Sequence, residues 1–192
     1  MEEEKQLKLR MYFFIPYNIS PIQQAIQAGH AALRYAVTFR DDSEFLEFIN
    51  NHETWIILNG GTTNADRDFD GLSKGSLNQI ADQLLENNIN FSYFIEPDLN
   101  NALTAICFIV DERVFNKKDY PDFVDWLLNV KMYSDAKDEA LKNNPSFWVE
   151  LRMKPKEVVQ EMFPEYYKEW VRLMGGVKNV FLRELIKDKK LA

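Results

Sequence analysis

The sequence predicts an α/β protein: a three-layer α/β/α sandwich around a central mixed sheet of about four strands, in the order β-α-β-α-β-β, followed by a helical C-terminal extension. Three observations predict it. Short apolar, aromatic runs bounded by Pro, Gly and Asn alternate with stretches of helical periodicity up to about residue 130. Beyond residue 132 every convincing segment is helical, which divides the chain into an α/β domain (1–131) and an extension packed on it (132–192). Finally, 192 residues that are 46% hydrophobic and 14% aromatic suffice for one substantial core with an appendage.

The elements follow in order. Leu9–Ile15 (LRMYFFI), closed by Pro16, has the continuous apolar character of a buried strand. A helix starts at Ser20: serine is a good N-cap, Pro21 suits the first helical position, and Gln23 completes an S-x-x-Q capping box. Ile22, Ala25, Ile26, Gly29, Ala32, Leu33, Ala36 and Val37 form its apolar face, predicted to lie on the sheet. Gln23, Gln27, His30 and Arg34 form a separate polar row, which by spacing alone reads more readily as a solvated or hydrogen-bonded surface row than as a site. A short helix over Ser43–Asn50 precedes the second strand, Thr54–Leu58 (TWIIL). Leu77, Ile80, Ala81, Leu84 and Leu85 then mark one face of a helix opened by a second capping box, Ser76 to Gln79. Phe91–Ile95 (FSYFI) and Leu103–Val110 (LTAICFIV) are the last two strands. In the extension, apolar residues from Trp148 to Met174 are too many for a disordered tail. Pro155 and Pro164 suit helix first turns, and Gly175-Gly176 ends a helix before Val177–Ile186.

Composition narrows the function classes. A formal charge of −7 gives no global attraction to phosphate backbones, so stable DNA binding is not expected and an RNA contact needs a local basic patch. The basic end KNVFLRELIKDKK offers one, but reads more readily as a solvated helix face. No apolar run approaches the roughly 18 residues of a membrane span. MEEEKQLKLR lacks a signal peptide's apolar core, so a cytoplasmic location and no membrane partner are expected, with a homodimer left open. One cysteine, Cys107, excludes an internal disulfide and reads as a small core residue. The two histidines lie far apart and make no metal-ligand spacing, so no metal and no cofactor are expected. P-loop and GxGxxG motifs are absent. Glu96 and Asp98 flank Pro97 and read as a solvated turn more readily than as a catalytic carboxylate pair.

The stretch LNGGTTNADRDFDGLSKGS, residues 58–76, leaves a strand through Gly60 and Gly61, carries Thr62, Thr63 and Asn64, and reaches Lys74 at a helix start. Backbone donors, small hydroxyls and a lysine beside a helix N-terminus can hold a phosphate; a long connector built of turn residues explains the same composition. Asn18, Asn59, Asn100 and Asn101 at strand ends can read base or ribose edges, or simply make turns.

QQAIQAGHAAL (23–33) resembles the GK-x-A-A-Q-x-x-H-A signature of the archaeal and eukaryotic (type 2) peptidyl-tRNA hydrolases, and EPDLNNALTAI (96–106) resembles their D-x-G-x-T loop before the last strand. The resemblance covers residues 7 to about 112. DERVFNKKDYPDFVDWLL and GGVKNVFLREL also resemble proteins of tailed-phage genomes, which implies a host cytoplasm as the location. The family cleaves the ester joining a peptide to a tRNA 3′ end without a metal, by a positioned water and donors to the developing oxyanion. The resemblance carries Gln27, His30, Asp98 and Thr104 over as matches, with His30, Asp98 and Thr104 in catalytic roles if the chain is active. It also places Gln23 where the family has its lysine, stretches the D-x-G-x-T spacing by two residues and replaces the following G-T-x-T by CFIVDER. It therefore implies a peptidyl-tRNA hydrolase-like protein with hydrolysis weakened or lost. A nucleotide or tRNA 3′ end would be held by Asn18, Gln23, Gln27, Asn59, Gly60, Gly61, Thr62, Lys74, Asn100 and Asn101. The alternative class is a binder that sequesters a nucleotide signal without cleavage, as a phage counter-defence protein would.

Overall fold

The structure, a computed structural model, describes residues 6–63, 75–131 and 145–192. The chain forms two units: residues 1–112 together with 181–192, and residues 113–180. The division thus falls at 112 and again at 180, where the sequence places a single one near 132, and after 180 the chain leads back to the sheet, which Lys190–Ala192 join.

The first unit is the expected α/β arrangement. A four-stranded mixed sheet has the order β2-β1-β4-β3, with β1 at Leu9–Pro16, β2 at Trp55–Gly61, β3 at Phe91–Glu96 and β4 at Ala102–Asp111. β1 and β2 are parallel, and β4 runs antiparallel to both of its neighbours. The alternation of side chains sorts the core into two layers. Met11, Phe13 and Ile15 of β1 join Ala105, Cys107 and Ile109 of β4 under α1 (Pro21–Thr38) and α2 (Ser43–Asn51), while Tyr12 and Phe14 meet Phe108 on the opposite face. Helix α3 (Ser76–Glu86) covers that second face through Leu77, Ile80 and Leu84, and Leu77 lies beside Phe14 at Gly60. Burial raises the Cys107 thiol well above its ordinary pKa, which keeps it a core side chain and not a nucleophile.

Helix α1 turns its other side to the sheet from the one its periodicity predicts. It buries Gln27, Ala28, Ala31 and Tyr35, and leaves Ile22 75%, Ile26 51%, Leu33 69% and Val37 76% exposed. The reason is steric. The layer beneath already holds Phe13, Ile15, Phe45 and Phe48, so the helix approaches through two alanines, and Tyr35 fills the remaining gap against Phe39 and Phe45. Apolar periodicity locates the wider aliphatic face; volume beneath the helix selects the narrower one.

The N-terminus of α3 also departs from expectation. Its cap is Gly75 and no capping box forms, since Ser76 Oγ is taken by the Gly60 carbonyl, to which it donates at 2.9 Å. At the far edge of the sheet the chain's own end closes β2: Leu191 bridges Leu58, Asn59 N–H donates to Lys190 O at 2.9 Å and Ala192 N–H to Ile57 O at 3.0 Å.

The second unit has its own core. It contains α4 from Arg113 (Glu112–Phe115), α5 (Phe123–Trp126) with a π-helical continuation to Lys131, α6 (Pro145–Met153), α7 (Lys156–Met162), α8 (Pro164–Leu173) and the start of α9 (Val177–Ile186). Phe123, Trp126, Leu127, Leu128, Leu151, Val159, Trp170 and Met174 pack together, and Trp170 Nε1 donates to Pro121 O at 3.0 Å. Of Trp148 only the backbone is described. Pro155 caps α7, Pro164 opens α8, and Gly175 and Gly176 end it with φ of 82° and 113°, conformations that other residues rarely adopt. No described helix is long and apolar enough to cross a membrane.

Two glycines predict opposite effects of one substitution. A Cβ at Gly60 would lie 2.8 Å from Leu77 Cδ1 and 3.2 Å from both Ile15 N and Phe14 Cβ, so Gly60→Ala should destabilise by about 1–3 kcal/mol. A Cβ at Gly29, inside α1, meets nothing within 4 Å, so Gly29→Ala should stabilise by about 0.5–1 kcal/mol. Urea unfolding of both variants checks the pair; equal effects would contradict this packing.

Candidate functional site

The site forms where the topology gathers loops. Because β1 and β2 are parallel and β4 is antiparallel to β1, the ends of β1, β2 and β3 and the start of β4 lie at the same end of the sheet. The turn into α1, residues Gly61–Thr63, the start of α3 and the turn from Glu96 to Asn101 therefore meet there, outside the carboxyl ends of the parallel pair, where open α/β sheets bind ligands. Tyr17 N–H donates to Gly61 O at 3.2 Å and ties the first two segments together. The α1 cap forms as its spacing predicts: Gln23 N–H donates to Ser20 Oγ at 3.3 Å, and Ser20 N–H to Gln23 Oε1 at 3.1 Å. Gln23 is thus occupied as a capping residue where the resemblance places a lysine.

One turn further along α1, Gln27 forms the centre of a polar network between the helix and the sheet. Its Nε2 donates to Glu96 Oε2 at 2.7 Å, and its Oε1 accepts from Thr104 Oγ1 at 2.7 Å. The chemistry fixes the amide's orientation, since a carboxylate can only accept. Thr104 is 0% exposed and Gln27 6%, so both ends of the amide are satisfied inside the protein. Glu96 also accepts from Asp98 N–H at 3.4 Å, capping the 3-10 turn Pro97–Leu99. The network therefore holds the β3–β4 turn against α1.

His30, the next position of the polar row, stays exposed and lies flat on Phe94, with ring centroids 4.3 Å apart and planes 16° apart. The Arg34 guanidinium covers the same ring at 5.0 Å. The row thus divides: Gln27 points into the protein, while His30 and Arg34 lie on an aromatic at its surface. Among the described residues His30 and Asp98 share no hydrogen bond or ion pair, and Asp98 is exposed on its turn.

The glycine-rich loop binds itself. Asn59 Oδ1 accepts from Gly61 N–H at 2.7 Å, Thr62 N–H donates to Ser76 Oγ at 2.9 Å, Leu77 N–H donates to Thr62 O at 2.9 Å, and Thr63 Oγ1 donates to Leu103 O. Donors that could cradle a phosphate are thus used within the loop, and Gly60 is required for close packing. Asn100 and Asn101 have φ of 55° and 57°, left-handed values that asparagine tolerates, so each makes the turn into β4. Asn18 is exposed in the turn before α1. Asn64 and Lys74 lie outside the described residues.

Sequence reasoning missed Glu96 as Gln27's partner. A carboxylate directly before a proline at a strand end is an N-cap signal, but its link to α1 needs the helix to lie over β3 and β4 with the Gln27 side inward, which the apolar pattern contradicts. Phe94, the platform for His30 and Arg34, carried no separate signal in an aromatic strand.

Removing either partner of a buried pair strands the other, so Thr104→Val and Gln27→Ala should each destabilise by about 1–3 kcal/mol. The double variant should lose less than the sum, with a coupling of about 0.5–3 kcal/mol in denaturant titrations. Additive losses would dissolve the network. No protein-family model matches the chain, and neither a curated protein nor a solved structure does.

Proposed function

We propose that the protein binds a nucleotide-like ligand or a tRNA 3′ end at this sheet end, and that it cleaves a peptidyl ester slowly or not at all. The carrying observation is the Gln27–Thr104 pair: two residues that match the hydrolase signature are bonded to each other inside the protein, where they support the fold and cannot reach a substrate. The family's lysine position is filled by a neutral capping glutamine, and losing one donor to an oxyanion commonly costs about 100- to 1,000-fold in rate. Asn18, His30 and Asp98 remain exposed for recognition. Such a protein acts by sequestration, as a counter-defence binder of a nucleotide signal would.

One observation favours a second reading, residual hydrolysis. Glu96 presents a half-buried carboxylate oriented by Gln27, so in that reading Glu96, and not Asp98, would activate the water. Both readings are tested with purified protein, peptidyl-tRNA and a nucleotide panel followed by thermal shift. The binder reading expects a nucleotide-dependent rise in melting temperature, reduced in His30→Ala, and no cleavage above background. Rapid cleavage abolished by Glu96→Gln and retained by Asp98→Ala would establish the hydrolase instead. Neither a shift nor cleavage would reject both.

A further inference from the structure

We propose that the outer edge of β3, with the groove between it and α1, is a docking site for an extended segment of a partner protein that pairs with the β3 backbone and offers an acidic side chain to Arg34. The site lies towards the start of β3, away from the Glu96 turn, and does not rest on the nucleotide reading. The sheet's two edges are treated differently. The β2 edge is closed by Lys190–Ala192, whereas β3 pairs with β4 alone among the described strands. An uncovered edge is a row of backbone donors and acceptors ready for another strand.

The surroundings of that edge suit an added strand. On the α1 side, Leu33, Arg34 and Val37 stand over Phe91, Ser92 and Tyr93 around a cavity of about 500 Å³, with the small Ser92 beneath. On the α3 side a second cavity, about 270 Å³, is bounded by Leu85 and Tyr93. Successive side chains of a paired strand point to opposite faces, so such a strand finds a recess on each. The β3 register shifts between Phe94 and Ile95, which confines regular pairing to Phe91–Phe94.

Charge decides the occupant. Arg34 lies over Phe94 beside His30, and among the described residues no carboxylate is within 4.0 Å of its guanidinium. A two-fold pairing of β3 with a second copy would bring two Arg34-bearing edges together, like charge beside like charge, which disfavours self-association. Nucleic acid is disfavoured by the net charge of −7 and the apolar walls. An acidic extended segment satisfies both the edge and the cation.

The test is fluorescence anisotropy of the full chain with the labelled peptide Thr-Leu-Val-Glu-Val-Thr, in which Leu and Glu share one face, its Lys-for-Glu counterpart, and a form N-methylated at alternate amides. The glutamate peptide should bind at least about tenfold tighter than the lysine peptide. Arg34→Glu, an exposed change that circular dichroism should find folded, should invert that preference, and N-methylation should remove binding. Equal binding of both peptides, indifference to N-methylation, or no binding up to about 1 mM would overturn the proposal. So would a dimer in sedimentation equilibrium that Tyr93→Pro dissociates, or binding confined to a single-stranded oligonucleotide.

Discussion

The amide of Gln27 is the constraint on which the rest of the first unit depends. A glutamine beneath a helix is costly unless both ends are met, and here Thr104 and Glu96 meet them from two different strands. That requirement and the volume left beneath the helix by Phe13, Phe45 and Phe48 select the same rotation of α1 over β3 and β4. Once the helix is so turned, Ala28, Ala31 and Tyr35 must fill the space above Phe13 and Ile15, and the aliphatic row Ile22, Ile26, Leu33 and Val37 must face outward. The surface on which His30 and Arg34 lie follows from the same rotation, since they stand one and two turns beyond Gln27.

The same constraint separates support from recognition at the sheet end. Gln27, Thr104 and the Gly60–Ser76 contacts hold the turns in place, and the exposed groups beside them are those the proposed binding would use. Polar residues in a cleft are readily taken for machinery. Here hydrogen-bond partners show which of them are already committed. The two sheet edges show a similar economy, with the chain's own end closing one and leaving the other to its surroundings.

The strands, their succession along the chain and the start of α1 were legible because each rests on local chemistry: LRMYFFI and LTAICFIV are almost wholly apolar, and Ser20, Pro21 and Gln23 specify a helix start without help from elsewhere. The buried face of α1 was not legible, since the choice between two faces lies in the volume left by Phe13, Phe45 and Phe48. For the same reason Gln27 could be placed on a polar row but not inside the protein. The cap of α3 was misread because Ser76 has a competing acceptor, the Gly60 carbonyl, sixteen residues earlier in the chain. The return of Lys190–Ala192 to β2 carries no periodic signal, since it is an isolated bridge between Leu58 and Leu191.

The most direct measurement is the hydrogen exchange of the Gln27 side-chain amide, followed by NMR in protein labelled with nitrogen-15. If Gln27 joins Thr104 and Glu96 inside the protein, its Nε2 protons should exchange markedly more slowly than those of an exposed glutamine. Exchange as fast as that of an exposed glutamine would place the amide in solvent and contradict the rotation of α1 from which the candidate site follows.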